Sequence, residues 1–475
     1  MMELITRDII NKSITFKDVN AHNLYQKEKT FNYQELSRQI DIIKNVLQHD
    51  YNCVEGQTIL IGITPCTLQV AAFFACAELG LTIVIADHNR NDNWIDPKYI
   101  DPKTASLLPI NYFLVTSDEH LIPKYELFYK ICDKTVVVKD LDKLNDSVNN
   151  NLLCKHETIL LKCTSSGTTG TAKLVTHSHQ FLKRLIDRNK FFFYGNVCMA
   201  HNLNHGSSPA TYFLPSLCSD DTKVFVSYMI TYLTEHSRSK ESLDMAMHKF
   251  GMYDFDHLMI PYSYLIDNFL KLGSYRELNL YTLSTIKKDW VAYHLDNRIK
   301  NIISIFGSNE TSGPTFINEI ADHDFQENKY RLVDGFYQIN LIDDKLLEVT
   351  LPVYDTKIIT NDVFEKVGSN YYHKGRNDLY RVNGYEVNVK HYDNIIKDVI
   401  DADLVIDTAK DSLYLAIWKD EDMIDQHISA IIGKIKKDSY NVHTVNKYKV
   451  LDKSKFMTGI KLDMELLRDY FRKFV

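Results

Sequence analysis

The sequence TSSGTTGTAK at residues 164–173 combines a dense set of hydroxyl side chains with two glycines and a closing lysine. It follows an apolar run, TILLKC at residues 158–163, which has the length and composition of a buried strand. Glycines let backbone N–H groups approach a ligand closely, hydroxyls donate hydrogen bonds and the lysine supplies positive charge, so the stretch suits phosphate groups. A solvated turn is the alternative, disfavoured by this composition directly after a strand, and the spacing is not the G-x-x-x-x-G-K-(S/T) of a P-loop NTPase. We predict a phosphate-binding loop between a strand and a helix that begins at Gln180.

Composition sets the class of protein. At 475 residues the chain is long enough for about three units of domain size. Its 45% apolar and 25% charged residues are typical of globular proteins, and the net charge of -7 argues against a surface that coats nucleic acid. The eight cysteines are scattered without a C-x-x-C pair, as in a cytosolic protein, and the N-terminus has no signal-peptide pattern. The longest apolar run, residues 70–86, is interrupted by Glu78 and Gly80 and is too short to span a bilayer, so we expect a cytoplasmic protein with no membrane span and no nucleic-acid partner.

Hydrophobic periodicity predicts alternating strands and helices. Residues 58–63 form a predicted strand, residues 68–79 a helix and residues 81–85 a second strand, a unit whose length implies a parallel crossover. Residues 30–36 open an amphipathic helix before this unit. From residue 379 onward, strands and helices alternate again and predict a small α+β unit. The pattern as a whole indicates the α/β class.

Residues 164–173 resemble the phosphate loop of the acyl-adenylate-forming superfamily, which includes acyl-CoA synthetases, aryl-acid ligases, luciferases and peptide-synthetase adenylation domains. The family pattern is (S/T)-(S/G)-G-(S/T)-(S/T)-G-x-P-K, and Ala172 stands where the proline is usual. The resemblance implies that Thr169 is catalytic. It also implies that the rest of the loop binds the phosphates of ATP, through Thr164, Ser165, Ser166, Gly167, Thr168, Gly170 and Lys173.

A second specific motif is GRNDLYRVNGYEV at residues 375–387, which resembles the family pattern G-R-x-D-x-x-K-x-x-G-x-x-(I/V). Arg381 stands where lysine is usual, which keeps the charge but not the compact ammonium group. The resemblance implies that Arg376 contacts the ribose and that Asp378 is a hinge. It also implies that Gly384 lies in a loop that enters the site after a domain rotation.

The family resemblance implies a two-domain α/β fold. Residues 1–377 would form a large N-terminal adenylate-forming domain, built of β-sheets flanked by helices together with a distorted β-barrel. Residues 378–475 would form a small mobile α+β lid that rotates about a hinge near Asp378.

The segment GSNETSG at residues 307–313 directly follows a predicted strand and, with Phe306, resembles the family pattern Y-G-x-T-E. The resemblance implies that Phe306 stacks on adenine and that Asn309 contacts the α-phosphate. Glu310 would help to hold Mg²⁺, which prefers oxygen ligands and often takes only one or two protein carboxylates.

The tripeptide TND at residues 360–362 resembles the family's T-G-D, which implies that Asp362 binds the ribose hydroxyls. Asn361 replaces the glycine, and asparagine tolerates left-handed geometry better than most residues. We therefore expect a turn at this point of the chain.

The polar segment HNLNHGSSP at residues 201–209 contains two histidines four residues apart. Such a pair can bind a metal on a helix, but Gly206 and Pro209 make a helix improbable and no third ligand follows, so a zinc site is disfavoured. The segment resembles the family stretch P-x-x-H-x-x-G, which implies that His205 is a catalytic residue beside the substrate carboxylate. A hydrogen-bonded loop histidine is the alternative.

The segment KFMTGIKLD at residues 455–463 resembles the family pattern T-x-x-G-K-(I/V/L)-x-R, whose lysine bridges the substrate carboxylate and the phosphate. Ile460 separates the glycine from the lysine, and a shift of one residue can turn a side chain away from its target. The resemblance implies that Lys461 is the catalytic lysine, with Lys455 or Lys453 as a substitute.

The resemblance implies that a small carboxylic acid is activated by ATP and Mg²⁺ as acyl-AMP, with release of pyrophosphate, and that the acyl group then passes to a thiol. Coenzyme A is the expected acceptor, and the phosphopantetheine of a carrier protein is the alternative. A catalytically impaired nucleotide-binding protein is a third interpretation. It is motivated by Asn309, by Ile460 and by residues 281–286, which lack the glycines of a family turn near the adenine.

Overall fold

The computed structural model describes most of the chain in segments. The described residues are 4–19, 29–63, 66–85, 107, 109–116, 131–138, 148–149, 151–165, 173–199, 209–228, 255–259, 278–282, 299–320, 329–333, 336–343, 345–351, 354, 356–376, 379–382, 385–388, 396, 399–407, 412–418, 426–431, 447–452, 455, 457–458, 461–462 and 464–474.

Helices are few in the described residues. The α-helices are α1 (Tyr33–Asn45), α2 (Thr67–Glu78), α3 (His179–Asn189), α4 (Leu214–Cys218) and α5 (Met464–Phe474). Shorter helical turns occupy Arg7–Ile9, Val46–Asp50, Lys190–Phe192 and Pro209–Phe213.

Strands dominate the described part of the chain. In chain order they are β1 (Thr15–Val19), β2 (Lys29–Phe31), β3 (Thr58–Ile61), β4 (Thr82–Ile85), β5 (Ile110–Thr116), β6 (Cys132–Val138), β7 (Ile159–Ser165), β8 (Lys173–Ser178), β9 (Gly195–Met199), β10 (Thr222–Tyr228), β11 (His257–Met259), β12 (Leu278–Thr282), β13 (Ile299–Phe306), β14 (Phe316–Ile320), β15 (Lys329–Leu332), β16 (Gln338–Ile342), β17 (Leu346–Leu351), β18 (Thr356–Val367), β19 (Asn370–Arg376), β20 (Leu379–Val382), β21 (Tyr385–Asn388), β22 (Ala402–Asp407), β23 (Ser412–Ile417), β24 (Lys447–Val450), β25 (Met457–Thr458) and β26 (Lys461–Leu462).

Two large sheets contain most of these strands. The larger has thirteen strands in the order β16-β17-β18-β19-β15-β14-β13-β12-β11-β9-β10-β1-β2, and the second has six in the order β6-β5-β3-β4-β7-β8. In the first sheet, neighbouring strands pair in parallel along the series β10-β9-β11-β12-β13. In the second sheet they do so along the series β6-β5-β3-β4-β7. Beyond β13 the larger sheet continues with antiparallel pairing through β14, β15, β19, β18 and β17 to β16. This mixed architecture confirms the predicted α/β class.

The amphipathic helix predicted near residue 30 is α1. Its first turn carries a capping box, in which the side chain of Asn32 accepts from the backbone N–H of Glu35 and the side chain of Glu35 accepts from that of Asn32. Leu36, Ile40 and Ile43 lie on one face of α1 and are fully buried. Helix α2 is buried along almost its whole length, which agrees with its continuous apolar sequence. The predicted strand–helix–strand unit is thus β3, α2 and β4, with β3 and β4 parallel.

The turn expected at residues 360–362 is instead an irregularity within β18. Ile359 pairs with Glu348 of β17 and Val363 pairs with Leu346, so residues 360–362 lie opposite Leu347 alone, where the register shifts. Pairing with β19 begins at Asp362, opposite Arg376. Such a bulge inserts extra residues without ending the strand.

The last part of the chain has a small core of its own. Strands β22, β23 and β24 form a three-stranded sheet. Leu467 and Phe471 lie on one face of α5 and join Tyr414 and Val405 of that sheet in a hydrophobic cluster. The rings of Phe471 and Tyr414 are stacked at 4.9 Å. Among the described residues, no helix combines the length and apolar character needed to cross a membrane.

Candidate active site

The predicted phosphate loop joins the two strands of a β-hairpin. Strand β7 ends at Ser165, which pairs with Lys173 at the start of antiparallel strand β8. Residues 166–172, with Ser166, Gly167, Thr168, Thr169 and Gly170, lie outside the described residues. For Thr164, Ser165 and Lys173 the described positions are those of the backbone. The loop therefore begins at the carboxyl end of a parallel strand, which is where ligands bind in open α/β sheets.

A second loop, residues 307–315, begins at the carboxyl end of β13. It returns to β14, where Phe306 and Phe316 pair, and the N–H of Thr315 donates to the carbonyl of Phe306 at 2.9 Å. The hydroxyl of Thr311 is within hydrogen-bonding distance of the carbonyls of Ser308 (3.0 Å) and Gly313 (3.1 Å). A Cβ at Gly307 would lie 2.4 Å from the carbonyl oxygen of Gly313, so the turn requires glycine there. Asn309 and Glu310 thus sit in a tightly closed turn.

His177 connects the two loops. It lies near the end of β8 and is 1% exposed. Its Nε2 donates to the backbone carbonyl of Asn309 at 2.7 Å, since a carbonyl oxygen can only accept. Burial lowers the pKa of His177 to about 4, although the bond to Asn309 opposes this effect, so the ring is neutral at neutral pH. The hairpin of the phosphate loop is therefore attached directly to the turn that carries Asn309 and Glu310.

Two further side chains hold the same turn. The hydroxyl of Tyr337 donates to the carbonyl of Thr311 at 2.6 Å. Arg188, on α3, donates to the carbonyl of Pro314 at 3.0 Å, and its guanidinium lies 5.2 Å from the centre of the Tyr337 ring. With the bond from His177 at Asn309, these contacts hold the turn on both of its sides.

The carboxylate of Glu310 lies close enough to the phosphate-loop hairpin to affect a residue of β7. The buried thiol of Cys163, on β7, has a pKa raised to about 12, first by burial and then by the negative charge of Glu310. Glu310 is partly exposed and lies in the turn that follows β13. A single carboxylate here fits Mg²⁺, which takes its remaining oxygens from water and nucleotide phosphates. Among the described residues, no cluster of three or more His, Cys, Asp or Glu side chains could hold a metal ion alone.

Phe306 lies in an aromatic cluster at the end of β13. Its ring centre is 5.1 Å from that of Phe364 and 5.0 Å from that of His373. The rings of Phe316 and Tyr330 lie 6.0 Å away. Phe306 itself is partly exposed, so its ring is supported on several sides and retains surface for a flat ligand such as adenine.

Asp362 and Arg376, the two residues expected at the ribose, are brought together. They occupy paired positions on the adjacent strands β18 and β19. The carboxylate of Asp362 is 5% exposed and lies 3.4 Å from Nε2 of His373, which in turn contacts Phe306. The expected adenine and ribose residues therefore belong to one continuous patch at the β13, β18 and β19 strands.

The remaining expected residues are described in part or not at all. His205, Asp378, Gly384 and Lys453 lie outside the described residues. Lys461 opens β26, which pairs with β25 so that Thr458 faces Lys461 across a short hairpin. The described position of Lys461 is that of its backbone.

Two histidines of this region were missed from the sequence. His373 gave no pattern that sets it apart from its neighbours in an alternating strand. His177 gave no sequence signal either. It faces inward from β8, but the outward positions include the apolar Leu174 as well as Thr176, so polarity along the strand does not report which face is buried.

Comparisons with known proteins agree with this geometry. Residues 15–228 match the model of the family described as AMP-binding enzyme. Among curated proteins, none matches the sequence. Among solved structures, o-succinylbenzoate CoA synthetase from Bacillus subtilis is similar at 14% identity and a TM-score of 0.68, over 97% of this chain and 96% of that one.

Two further structures show the same fold. The amide bond synthetase McbA from Marinactinospora thermotolerans has 12% identity and a TM-score of 0.67, over 99% of this chain and 100% of that one. An artificially fused adenylation–PCP di-domain, NpsA-ThdA from Klebsiella oxytoca, has 12% identity and a TM-score of 0.65, over 100% of this chain and 98% of that one. The fold is that of adenylation domains and CoA ligases. The match to the AMP-binding model over residues 15–228 agrees with this fold.

Proposed function

We propose that the protein activates a small carboxylic acid with ATP, forming acyl-AMP and pyrophosphate, and then transfers the acyl group to a thiol, most readily that of coenzyme A. The observation that carries the proposal is the hydrogen bond from His177 to Asn309. It joins the phosphate-loop hairpin to the turn that carries Glu310. The proposed phosphate-binding element is thus joined to the turn with the proposed metal ligand, and transfer at an α-phosphate requires such groups to be adjacent.

The first step brings two anions together, the carboxylate and the nucleotide. In our proposal Lys173 and the amides of the phosphate loop hold the β- and γ-phosphates, with Thr169 beside them. Mg²⁺ at Glu310 would supply further neutralising charge when it is bound. Lys461 would approach the carboxylate and the α-phosphate as the new bond forms. No protein nucleophile takes part, because the carboxylate oxygen itself attacks phosphorus.

The nucleotide would be oriented by the patch at the strand ends. Phe306 offers an aromatic face to adenine, while Asp362 and Arg376 bind the ribose hydroxyls. Asn309 donates to the α-phosphate from its side-chain amide. His205 would lie beside the carboxylate of the acid.

The second step requires the acceptor thiol to reach the adenylate. We propose that residues 378–475 rotate as a lid about Asp378 and bring the loop with Gly384 to the site. The acceptor is coenzyme A in our first proposal and a carrier-protein phosphopantetheine in the second. We place the reaction in the cytoplasm, which suits the eight free cysteines.

Pyrophosphate–ATP exchange with a panel of carboxylic acids tests the first step. We expect exchange that depends on one class of acid. In Lys461→Ala the activation free energy of the exchange reaction should rise by about 3 kcal/mol, the typical cost of losing one preorganised charge-stabilising group. Lys455→Ala is the matched control, because Lys455 is the nearby substitute. Loss of exchange in Lys455→Ala but not in Lys461→Ala would reassign the catalytic lysine.

Adding acceptors to the active mixture tests the second step. The similar structures represent three types of acceptor: free coenzyme A, a phosphopantetheinylated carrier protein and a simple amine. The acceptor that becomes acylated identifies the acceptor class of this protein. ATP binding without exchange for any acid would favour the third interpretation, a nucleotide-binding protein without catalysis. The residue inserted before Lys461 motivates that alternative.

A further inference from the structure

The turn at 307–315 is attached to the phosphate-loop hairpin through His177. The imidazole is 1% exposed, and it is stacked on Phe181 at 5.0 Å with 12° between the ring planes. Phe181 lies on α3, which follows β8 directly, so the stack sets the ring orientation from one side. The 2.7 Å hydrogen bond to the carbonyl of Asn309 sets it from the other. A ring held on two sides can fix the distance between the phosphate-loop hairpin and the turn at 307–315.

We propose that His177 is a positioning residue for the adenylation reaction, which holds the Asn309–Glu310 peptide at a set distance from the phosphate loop. The inference rests on the proposed function, since it assigns a task to His177 in that reaction. His177 acts through the backbone of Asn309 and does not itself contact the substrate. The donor is Nε2–H, which the ring carries in its neutral and its protonated form alike, so the role does not depend on titration.

The geometry explains why this bond matters more than its neighbours. Tyr337 and Arg188 hold the turn at Thr311 and Pro314, on the side that returns to β14. His177 holds it at Asn309, beside the proposed metal ligand Glu310. Without the bond from His177, the side of the turn that carries both proposed ligands loses this 2.7 Å hydrogen bond to the hairpin.

Three variants of His177 separate the hydrogen bond from packing. His177→Phe keeps a flat ring on Phe181 but removes the donor. His177→Gln keeps an amide donor at a reach similar to that of Nε2, whereas His177→Asn carries the same amide on a shorter side chain. His179→Phe is the matched control, because His179 is also fully buried two residues along but accepts from the N–H of Ile5 at 3.1 Å, away from the site.

Two readouts are needed, and the first is independent of activity. Hydrogen–deuterium exchange of the peptide covering residues 307–315 should become about tenfold faster in His177→Phe, the effect of losing one ordinary hydrogen bond, and should stay near wild type in His177→Gln and His179→Phe. In the exchange reaction with pyrophosphate, His177→Phe should lower kcat and raise the Mg²⁺ concentration needed for half-maximal rate, each by about tenfold. The KM for the acid should not change.

Each outcome supports or overturns the positioning role of His177. Unchanged deuterium exchange and unchanged Mg²⁺ dependence in a folded His177→Phe would overturn it, as would an equal effect of His179→Phe. If His177→Phe does not fold, the comparison of His177→Asn with His177→Gln decides, because only the shorter amide should lose the contact. Absence of pyrophosphate exchange in the wild type would overturn the proposed function, while the deuterium readout would still decide what His177 holds.

Discussion

Glu78 is the centre of a buried ionic cluster. Arg7 donates to its carboxylate from Nε at 2.9 Å and from Nη2 at 2.7 Å, and Lys44 donates from Nζ at 2.8 Å. Burial alone would raise the pKa of Glu78, but the bonds and charge of Arg7, with the bond from Lys44, outweigh it and hold the pKa below its ordinary value. The folded state therefore favours the ionised carboxylate.

Replacing Glu78 by Gln should lower the free energy of unfolding by about 3 kcal/mol at neutral pH, because buried Lys44 loses the counter-charge of Glu78 and Arg7 keeps only that of Asp41. The contribution of Glu78 is fully present above the ordinary pKa of glutamate and is lost as the pH falls through the lower pKa of the folded state. Urea unfolding of the wild type and of Glu78→Gln across this range measures it. The exposed pair of Glu365 and Lys374 is the control, and Glu365→Gln should cost less than about 1 kcal/mol.

Asp18 has the opposite dependence on pH. Its carboxylate accepts from the N–H and the hydroxyl of Thr67, both at 2.7 Å, at the start of α2. Burial raises the pKa of Asp18 to about 6, against the effect of these bonds. The folded state binds this proton more tightly than the unfolded state does. The contribution of Asp18 to the free energy of unfolding is therefore fully present below the ordinary aspartate pKa and is lost as the pH rises through about 6.

Asp18→Asn should therefore gain stability relative to the wild type as the pH rises. Asparagine keeps an acceptor oxygen for Thr67 without a buried charge, so the difference should grow by about 3 kcal/mol through this window and then remain constant. Chemical unfolding of both proteins at a series of pH values checks this. A difference that does not change with pH would show that Asp18 is not perturbed by burial.

At the scale of single elements, the cap of α1 is testable. Asn32→Ala removes the acceptor for the N–H of Glu35 and should lower the free energy of unfolding by about 1 kcal/mol. Asn32→Ser retains a capping oxygen and should stay close to the wild type. Equal losses in the two variants would mean that the cap does not contribute.

The turn at 307–315 tolerates added volume at one glycine but not at another. At Gly307 a Cβ would lie 2.4 Å from the carbonyl oxygen of Gly313, whereas at Gly313 the nearest atom would be 3.5 Å away, on Leu185. Gly307→Ala should therefore open the turn, destabilise the protein by about 1–3 kcal/mol and reduce pyrophosphate exchange sharply. Gly313→Ala should have much smaller effects on both thermal unfolding and exchange. The reverse order would contradict the described turn.

Elements were predictable from the sequence where periodicity is strong. The predicted helix at 68–79 and strand at 81–85 agree with α2 and β4 to within about one residue, because continuous apolar runs define both. The turn expected at 360–362 is a bulge within β18 instead, because pairing of β18 with the neighbouring strands β17 and β19 on either side of the tripeptide keeps the chain extended.

Side-chain partners were less predictable than elements. Glu78 stood out in the sequence as a charge within an apolar run, yet its partner Arg7 is 71 positions away. No local spacing reports such a contact. His177 and Asn309 are likewise 132 positions apart, so the link between the two loops emerges only when both sheets are assembled.

For the whole molecule, the order of motifs predicted the superfamily, and the AMP-binding match over residues 15–228 and the shared fold agree with that prediction. The two-domain division at residue 378 and the residues of the active site stay predictions. The catalytic role of Lys461 is the hardest of these to assign from the sequence, because Ile460 is inserted between Gly459 and Lys461. The structure places Lys461 opposite Thr458 in a short hairpin. The identity of the acid and of the acceptor was not predictable, because the pocket residues that select them come from segments without a fixed spacing.

The central claim is that the carboxylate of the substrate attacks the α-phosphate of ATP. Once the panel has identified an acid, the most direct test uses that acid labelled with ¹⁸O in its carboxylate, with mass spectrometry of the nucleotide after acyl transfer. The account predicts AMP that carries one ¹⁸O atom from the acid. Unlabelled AMP, or ADP with the label in inorganic phosphate, would contradict it.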